Sequence, residues 1–501
     1  MIKRSEVKEW MAHEPAFDDI MCSLRSAPRI PRTMISETRK VVAMARKFNN
    51  EVVRPYTLEL DRTIQQDPEF LPWEFVKQAN QRGFYSLVIP KIVGGKGYNF
   101  PAMSHFLEEV GTECLAMSNL IGVHYLGATT LLATWNMKLI NEIIRQTAEG
   151  EKTNDPSLIT LAITEPAAGT DVEEVSLLDK ANITFNARRE QGGYVLNGTK
   201  VFISNGHLSK WHVVIGYEDQ SRPSETMLVV VVKTGTKGFS FGRKERKMGQ
   251  KGCPASELIF KECFVPDEHV VFDSRHSAKL KRPPRETGRQ IIEYVVSVSR
   301  AAVGAWGVGA ARGALENAMQ FAMETHVDGK LLINHEWVQC RLAEMYKTMA
   351  LARLAYMENN YANGLDGAFK ILQLKPLYYL MKILPASMID KFITPTLGLP
   401  FTTWLFRKLQ MDWQKDEQIH RTTGWGSLAK VSGTDAGIRN CQMALEIMGQ
   451  AGLRHDRRVE KILRDSKLLQ IYEGTNQLNR LNIFESFLAS HHSRIKVYEH
   501  E

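Results

Sequence analysis

The stretch 471–477, Ile-Tyr-Glu-Gly-Thr-Asn-Gln, places one carboxylate, that of Glu473, on a turn. Gly474 follows it and lets the backbone leave in a conformation that a Cβ would resist. A carboxylate packed against Ile471 and Tyr472 loses hydration, which raises its pKa and makes it a better proton acceptor near neutral pH. The residues therefore predict a general base at Glu473, although a helix-capping glutamate on a surface turn fits the same pattern.

A second candidate site is the nonapeptide 163–171, Ile-Thr-Glu-Pro-Ala-Ala-Gly-Thr-Asp. Pro166 fixes its own φ, and Gly169 permits a turn that could point successive backbone N–H groups and two hydroxyls into one space. Such a loop could hold a heterocycle and a phosphate-bearing chain. The alternative is a generic turn that leads into a β-rich segment.

Three regions of the chain would have to position these segments. Residues 35–155 carry apolar side chains at helical spacing, and residues 158–272 contain short β-rich runs separated by Gly, Asn and Asp. Two pairs, Gly192-Gly193 and Asn197-Gly198, are typical of hairpin turns. Helical spacing returns beyond about residue 285, so the sequence predicts a helical, then β, then helical order.

The segment 367–422 differs from its surroundings, because aromatic and aliphatic residues are mixed there with prolines, lysines and arginines. Its longest uncharged stretch, Phe392 to Phe406, is shorter than the ~20 residues that a membrane-spanning helix needs. No transmembrane span is predicted in it.

Composition narrows the class of protein. The chain has 501 residues, 44% apolar and 24% charged, which is typical of a globular protein with several structural units. The net charge of +8 is spread along the chain and suits an anionic ligand or an acidic membrane surface better than nucleic acid. The six cysteines show no CxxC pairing, so a zinc site and a disulfide framework are not expected and a reducing compartment is favoured. Met1–Phe17 lacks an apolar run, so no signal peptide is expected.

Taken in order, these stretches resemble the acyl-CoA dehydrogenase family. The nonapeptide is similar to the family's flavin and acyl-CoA loop, and residues 198–206 are similar to the strand behind the flavin. Arg300 and the four residues after it resemble the substrate-side arginine segment, and residues 464–477 resemble the catalytic turn. The resemblance covers roughly residues 35–365 and 425–490.

The resemblance implies a multidomain α+β fold. An N-terminal helical domain would occupy residues 1–157, a central β-barrel or β-sandwich domain residues 158–275, and a C-terminal helical bundle residues 285–490. The segment 367–422 would be an insert in the bundle.

By the same resemblance the cofactor is FAD and the substrate is an acyl-CoA thioester. Glu473 is then the catalytic base, because Ser299, which stands where some branched-chain and long-chain members carry theirs, cannot serve. The ring of Phe202 could stack on the flavin, and the hydroxyl of Ser204 could bond its N5 side. The implied cofactor contacts are Leu161, Ile163, Thr164, Phe202, Ser204, Thr475 and Gln477, and the implied substrate contacts are Thr170, Arg300 and Gly474. No metal site is predicted.

The implied reaction is oxidation of an acyl-CoA to its 2,3-enoyl-CoA. Glu473 would remove the α proton, a hydride would pass to FAD, and electrons would go on to an electron-transferring flavoprotein. The implied assembly is a cytoplasmic homodimer or homotetramer, with a hetero-oligomer and attachment to the inner face of a membrane left open. Two alternatives remain: an acyl-CoA oxidase that uses O2, and a non-catalytic, partner-dependent subunit.

The chain departs from the family where other members hold the ADP half of the flavin with an arginine and a phenylalanine. The matching positions are Thr325 and Asp328, and two glutamines become Glu336 and Glu446. Losing a cation and gaining carboxylates near a pyrophosphate should weaken binding. Lys330, His326 or His335 could compensate, a partner subunit could supply the contacts, or the flavin could be held less tightly.

Two further features bear on substrate and location. Gly122 falls where medium-chain members carry a bulkier side chain, which would deepen the acyl pocket; a helix-packing glycine is the alternative. Within the insert, residues 377–382 and 404–408 combine apolar and basic side chains, as an element at a lipid surface does. The alternative is a loop that packs on the enzyme's own surface or on a partner subunit. Long-chain or bulky acyl groups and peripheral membrane attachment are expected.

Overall fold

Helices at both ends of the chain flank a β-rich middle in the computed structural model, which describes residues 22–367 and 370–489 together with 495, 497 and 498. The predicted helical, β, helical order is confirmed. The stretch Met1–Phe17, for which no signal peptide is predicted, lies outside the described residues.

The N-terminal domain is helical and buries a cluster of phenylalanines. Its helices are α1 Cys22–Ser26, α2 Thr33–Phe48, α3 Arg54–Gln66, α4 Trp73–Gln81, α5 Phe100–Glu113, α6 Leu115–Ala133 and α7 Met137–Thr153. Phe48 and Phe84 meet edge to face with ring centroids 5.0 Å apart. Pro72 immediately precedes α4.

The middle domain is a sandwich of two four-stranded sheets. Its strands are β1 Ile159–Ala162, β2 Asn186–Glu190, β3 Gly193–Ser204, β4 Trp211–Tyr217, β5 Met227–Lys233, β6 Phe239–Lys244, β7 Ala255–Pro266 and β8 Val270–Phe272, with short helices α8 Val175–Leu178 and α9 Ser274–Ser277. One sheet has the order β1-β4-β5-β8, with β1 parallel to β4, and the other is antiparallel in the order β2-β3-β7-β6. Val214 and Val230 from the first sheet share one core with Leu196 and Phe260 from the second.

One predicted hairpin turn is confirmed and the other is wrong. Gly192, at φ +79°, turns the chain between β2 and β3. Asn197-Gly198 lies inside β3 at a β-bulge, where Gly198 has φ +128°. A Cβ on Gly198 would lie 3.1 Å from the Cα of Phe185, so the glycine serves a close approach within the sheet.

The C-terminal part is a bundle whose long helices cross at glycines. Its helices are α10 Pro284–Glu324, α11 Glu336–Asp366, α12 Lys375–Ile383, α13 Ala386–Met388, α14 Thr394–Leu397, α15 Pro400–Arg407, α16 Asp416–Met448, α17 Val459–Leu469 and α18 Asn476–Phe484, with a hairpin of β9 His326–Val327 and β10 Lys330–Leu331 after α10. A Cβ on Gly307 of α10 would lie 2.2 Å from the backbone of Gly433 in α16. This close crossing brings Arg300, two turns earlier on α10, and Lys430, one turn earlier on α16, beneath the turn at residues 473–474.

Short helical turns complete the chain. The π-helical turns are Asn49–Val53, Ile389–Ile393, Lys408–Asp412 and Glu485–Ala489, and the 3-10 turns are Lys91–Val93, Thr170–Glu173, Gly206–Leu208, Asp267–His269, Leu332–Asn334, Lys370–Gln373, Gly449–Leu453 and His455–Arg457. Within the described part of the chain, two helices, α6 and α10, are long and apolar enough to cross a membrane, but 89% of the apolar window in each is buried, so both are core helices.

The insert is mostly helical, from α12 to α15, and packs on the protein's own N-terminal domain. Lys382 Nζ lies 2.8 Å from Glu37 Oε1, and Arg145 Nη1 lies 2.8 Å from Asp390 Oδ1. The buried Arg407 donates from Nε to the carbonyl of Thr134 at 3.0 Å. These contacts hold one face of the insert on the enzyme's own surface.

Candidate active site

Glu473 lies in the turn between α17 and α18 and itself adopts a left-handed backbone conformation. Its φ is +57°, and that of Gly474 is +73°. Glycine accepts this conformation readily, as predicted, whereas a glutamate does not. A non-glycine residue holds such a conformation only where its surroundings fix it.

Three buried side chains hold the carbonyls of this turn. Arg300 Nε donates to the carbonyl of Glu473 at 3.3 Å, and Asn479 Nδ2 donates to the same oxygen at 3.2 Å. Lys430 Nζ donates to the carbonyl of Gly474 at 2.5 Å. Because α10, α16 and α18 each supply one of these donors, the packing of the bundle sets the position of Glu473.

The carboxylate of Glu473 accepts a hydrogen bond of 2.5 Å from Ser299 Oγ. Burial raises the pKa of Glu473, and the Ser299 hydroxyl and the charges of Arg300 and Lys430 offset only part of that rise. Ser299 therefore binds the carboxylate of Glu473, the predicted base, rather than taking its place. The net effect is a carboxylate with the raised pKa that suits a proton acceptor near neutral pH.

A second carboxyl group, that of Glu173, faces the same turn. It lies at the end of the 3-10 turn that follows the nonapeptide, with Oε2 4.0 Å from Arg300 Nη2. Burial and the nearby Glu473 raise the pKa of Glu173 to about 7. Burial and the neighbouring Arg300 lower the pKa of Lys430 to about 7. Two neighbouring carboxylates resist ionising together, so the pair retains a proton to higher pH than an isolated carboxyl group would.

The nonapeptide is fixed by a buried ion pair. Glu165 lies 2.9 Å from Lys200 Nζ, both side chains are fully buried, and the backbone N–H groups of Thr184 and Phe185 donate to Glu165 at 2.7 and 2.9 Å. Lys200 also donates to the carbonyl of Ile163 at 2.8 Å. Glu165 is therefore a structural residue of the loop. Removing one partner of such a pair typically costs about 3–5 kcal/mol.

A cavity of about 480 Å³ opens between this loop, β3, α6, α10 and the catalytic turn. The predicted site residues on its wall are Leu161, Ile163, Thr164, Thr170, Phe202, Ser204 and Glu473. Phe202 has φ +59°, and its side chain is 58% exposed although it belongs to a sandwich strand. An aromatic ring held out into a cavity, beside the hydroxyls of Thr164 and Ser204, fits a planar heterocycle.

The other predicted site residues do not line this cavity. Arg300 lies behind the turn and also donates from Nη1 to Ser427 Oγ at 3.0 Å. The hydroxyl of Thr475 caps α18 by accepting from the N–H of Leu478 at 3.3 Å, and Gln477 is exposed on the first turn of that helix. Gly474 is buried beside Glu173. Their roles toward cofactor or substrate stay predictions.

Gly122 does not deepen the cavity, so that expectation is wrong and the helix-packing alternative holds. A Cβ on Gly122 would lie 2.4 Å from Cζ2 of Trp306, whose indole fills the space that the glycine leaves. The indole is held by a hydrogen bond of 2.9 Å from Nε1 to Ser118 Oγ. In this direction the cavity is closed.

The positions expected to hold the ADP half form an exposed hairpin. Asp328 and Gly329 turn the chain between β9 and β10 with φ +49° and +78°. Glu446 lies 2.9 Å from Arg341 Nη2, so one of the added carboxylates already has a cationic partner. Glu336 is exposed on the first turn of α11, where a carboxylate interacts favourably with the helix dipole.

Family models match most of the chain. The acyl-CoA dehydrogenase N-terminal domain matches residues 36–151, the middle domain residues 160–263, and the C-terminal domain residues 286–367 and 409–488. The chain belongs to the acyl-CoA dehydrogenase family. Residues 368–408, which the C-terminal match skips, lie within the predicted insert; the domain boundaries themselves stay predictions.

Relatives and solved structures agree with this assignment. The cyclohex-1-ene-1-carbonyl-CoA dehydrogenase of Geobacter metallireducens is 28% identical over 448 residues, which are 89% of this chain and 97% of that protein. The enzyme of the same name from Syntrophus aciditrophicus is 26% identical over 455 residues, 91% of each chain. Butyryl-CoA dehydrogenase from Megasphaera elsdenii has a TM-score of 0.67 at 20% identity, covering 89% of this chain and 97% of that one.

The fold and cofactor predictions are confirmed by this membership. Acyl-CoA dehydrogenases are FAD-dependent oxidoreductases with a helical, β, helical architecture. The Phe202 face and the two hydroxyls beside it fit the flavin ring, so the residues of this acyl-CoA dehydrogenase suit the cofactor. The residues missed from the sequence are Glu173, Lys430 and Trp306. Glu173 lies two positions beyond the nonapeptide 163–171. This short distance along the chain is the one sequence feature that could have marked Glu173 as a site residue.

Proposed function

We propose that this acyl-CoA dehydrogenase oxidises an acyl-CoA thioester to its 2,3-enoyl-CoA with Glu473 as the base. The observation that carries the proposal is the half-buried Glu473 carboxylate, which Ser299 orients at the wall of a cavity that also presents Phe202. A carboxylate fixed within reach of a bound thioester can remove an α proton without first losing its position.

The protein's own groups divide the work in this mechanism. Glu473 takes the α proton, and the Ser299 hydroxyl favours the charged form of this base by donating a hydrogen bond to it. The backbone N–H of Glu473 donates to the thioester carbonyl as negative charge develops there. FAD, when bound, supplies the acceptor for the β hydride. Phe202 and Thr164 orient the flavin ring, and the apolar wall formed by Val303 and Trp306 excludes water from the reacting carbons.

The test is anaerobic mixing of the FAD-loaded enzyme with acyl-CoA. We expect bleaching of the oxidised flavin and formation of enoyl-CoA, followed by reoxidation on addition of an electron-transferring flavoprotein. Stoichiometric peroxide from O2 with no such partner would instead indicate an acyl-CoA oxidase. A protein that stays colourless after reconstitution with FAD would indicate a non-catalytic subunit.

We also propose a homo-oligomer that completes the ADP end of the flavin site. Apolar side chains lie exposed around the β9–β10 hairpin, among them Met323, Val327 and Trp337. An apolar surface beside a cofactor site suits a subunit interface. Light scattering with and without FAD tests this, and a monomer in both conditions would contradict it.

The insert favours peripheral attachment of this cytoplasmic enzyme to a membrane. Phe392, Phe401 and Trp404 are exposed, and lysine ammonium groups lie 5.3 Å from the Phe392 ring and 5.1 Å from the Trp404 ring. Exposed apolar side chains next to cations suit an anionic lipid surface. Co-sedimentation with phosphatidylglycerol vesicles should fall in the double variant Phe401→Ser/Trp404→Ser and not in the control Leu351→Ser, an exposed leucine of α11. Equal sedimentation of all three proteins would contradict attachment through the insert.

A further inference from the structure

A second cavity, of about 330 Å³, lies between the insert and the N-terminal domain. Its volume is in the range of ligand-binding pockets. The walls are predominantly apolar and include the side chains of Leu132, Ile371, Leu377, Met381, Leu397 and Phe406. Such a lining suits a hydrocarbon and offers little to a charged or polar ligand.

This cavity adjoins the active-site cavity. Phe100, Tyr125 and Thr129 line both of them, so a single layer of side chains separates the two spaces. The position of Tyr125 is fixed, because its hydroxyl accepts from the N–H of Leu87 at 2.8 Å and donates to the carbonyl of Phe84 at 2.5 Å. Since Trp306 closes the active-site cavity at Gly122, the side toward Thr129 is where an acyl chain can extend.

The roof of the second cavity is anchored on both sides. In α12, the hydroxyl of Tyr378 donates to Glu37 Oε2 at 2.6 Å, and Lys382 forms its ion pair with the same carboxylate. At the other end, the ring of Phe406 stacks on that of Trp135 with centroids 5.8 Å apart. The polar groups of the roof thus bond to the N-terminal domain at the edges and leave the apolar side chains to face inward.

Resting on the proposed function, we propose that this cavity is the subsite for the distal methylene chain of a long, unbranched acyl-CoA. The thioester and the first carbons lie against Glu473, and the chain passes between the side chains of Phe100, Tyr125 and Thr129 into the space under the insert. The insert therefore sets chain-length specificity as well as forming an outer surface. Each methylene that enters the cavity strengthens binding by about fourfold.

The test fills the cavity from its roof. Leu377→Trp places an indole in the space, and Ile383→Trp is the matched control, because Ile383 lies on the same helix but is 79% exposed and outside the lining. We compare kcat/KM for hexanoyl-CoA, decanoyl-CoA and hexadecanoyl-CoA in the FAD-loaded enzymes. The wild type should prefer the long chain. Leu377→Trp should lose about tenfold or more with hexadecanoyl-CoA and keep its activity with hexanoyl-CoA, whereas the control should match the wild type.

Two outcomes would overturn the subsite. They are a wild type that prefers hexanoyl-CoA, and a Leu377→Trp enzyme whose activity changes equally for all three chain lengths or for none. Absence of turnover with every chain length in the wild type would contradict the proposed function instead. A second measurement does not depend on turnover: hexadecanoyl-CoA with a terminal diazirine should label residues 371–381 or 128–132 on irradiation. Labelling confined to the active-site cavity would also overturn the proposal.

Discussion

The catalytic turn, residues 473–474, and the turn of the β9–β10 hairpin, residues 328–329, have similar backbone conformations but different surroundings. Glu473-Gly474 has φ values of +57° and +73°, and Asp328-Gly329 has +49° and +78°. In both, a carboxylate residue in the left-handed region precedes a glycine. The Glu473 side chain is half-buried among charged groups and that of Asp328 is exposed, so the chemistry comes from the surroundings rather than from the turn itself.

The two turns are also held differently. The hairpin is maintained by pairing of Lys330 with Val327 and by the N–H of Leu332 donating to the carbonyl of Thr325 at 2.7 Å. Asp-Gly is a typical sequence for such a turn and needs no side-chain support. The catalytic turn has no strand partner and depends on Arg300, Lys430 and Asn479. Its geometry is thus set by three helices.

The largest effect should follow from removing the base. Glu473→Gln keeps the size of the side chain but cannot accept the α proton, so flavin bleaching by acyl-CoA should slow by about 10²–10⁴-fold while FAD stays bound. Stopped-flow absorbance measures the rate. The matched control is Asp328→Asn, which makes the same change on the exposed turn and should leave the rate unchanged. Near-wild-type bleaching in the Gln variant would show that Glu473 is not the base.

Glu173→Gln should change how stability depends on pH. In the wild type the folded-state pKa of Glu173, about 7, lies above the ordinary value of 4.5. As pH rises, the Glu173 carboxyl group therefore loses its proton at lower pH in the unfolded chain than in the folded protein. The free energy of unfolding of the wild type consequently falls between pH 4.5 and pH 7, by up to about 3 kcal/mol. The amide has no proton to lose, so the stability of the variant relative to the wild type should increase over that interval. Denaturant unfolding of the FAD-loaded proteins at pH 5 and pH 8 measures it, and a constant difference would contradict the shift.

Ser299→Ala should move the acid limb of the activity profile. The Ser299 hydroxyl stabilises the charged form of Glu473, so its loss raises the pKa of the base further. Because the base must be deprotonated, activity should then appear at higher pH, by about one to two pH units for a hydrogen bond to a charged group. Ser297→Ala removes a buried hydroxyl of the same helix that bonds to Asn363, and should leave the profile in place. A profile unmoved in both variants would mean that the bond is not made during turnover.

Sequence patterns were enough to predict the order of domains and the glycine-containing turn at Glu473. Both rest on local signals, namely the helical spacing that returns beyond about residue 285 and Gly474 after Glu473. The role of Glu473 as the base stays a prediction. The resemblance also singled out Ile163, Thr164, Phe202 and Ser204, and the structure places all four on the wall of one cavity.

Features that depend on distant contacts were not predictable in this way. Gly122 alone predicts a deeper pocket, but the indole of Trp306, far along the chain, fills the space beside it. Asn197-Gly198 has the composition of a hairpin turn. Because β3 pairs with the neighbouring strand β7 on both sides of this dipeptide, it forms a β-bulge instead. The raised pKa of Glu173 arises from burial against Glu473, which no local pattern records.

The smallest effect is expected on the exposed turn. Thr325 ends α10 beside the hairpin, and Thr325→Arg would place a cation at a helix C-terminus near the expected pyrophosphate. An exposed ion pair contributes about 0.2–1 kcal/mol, so the dissociation constant of FAD should fall by no more than about fivefold, and less at high salt. Thr325→Met, which adds length without charge, is the control. Adding Asp328→Phe to the arginine variant should not help, because a phenylalanine at φ +49° strains the hairpin by about 1 kcal/mol and offsets the gain. Equal FAD affinity in the arginine and methionine variants would show that the ADP half is held away from this turn. The hairpin turn and the catalytic turn would then have only their backbone conformation in common.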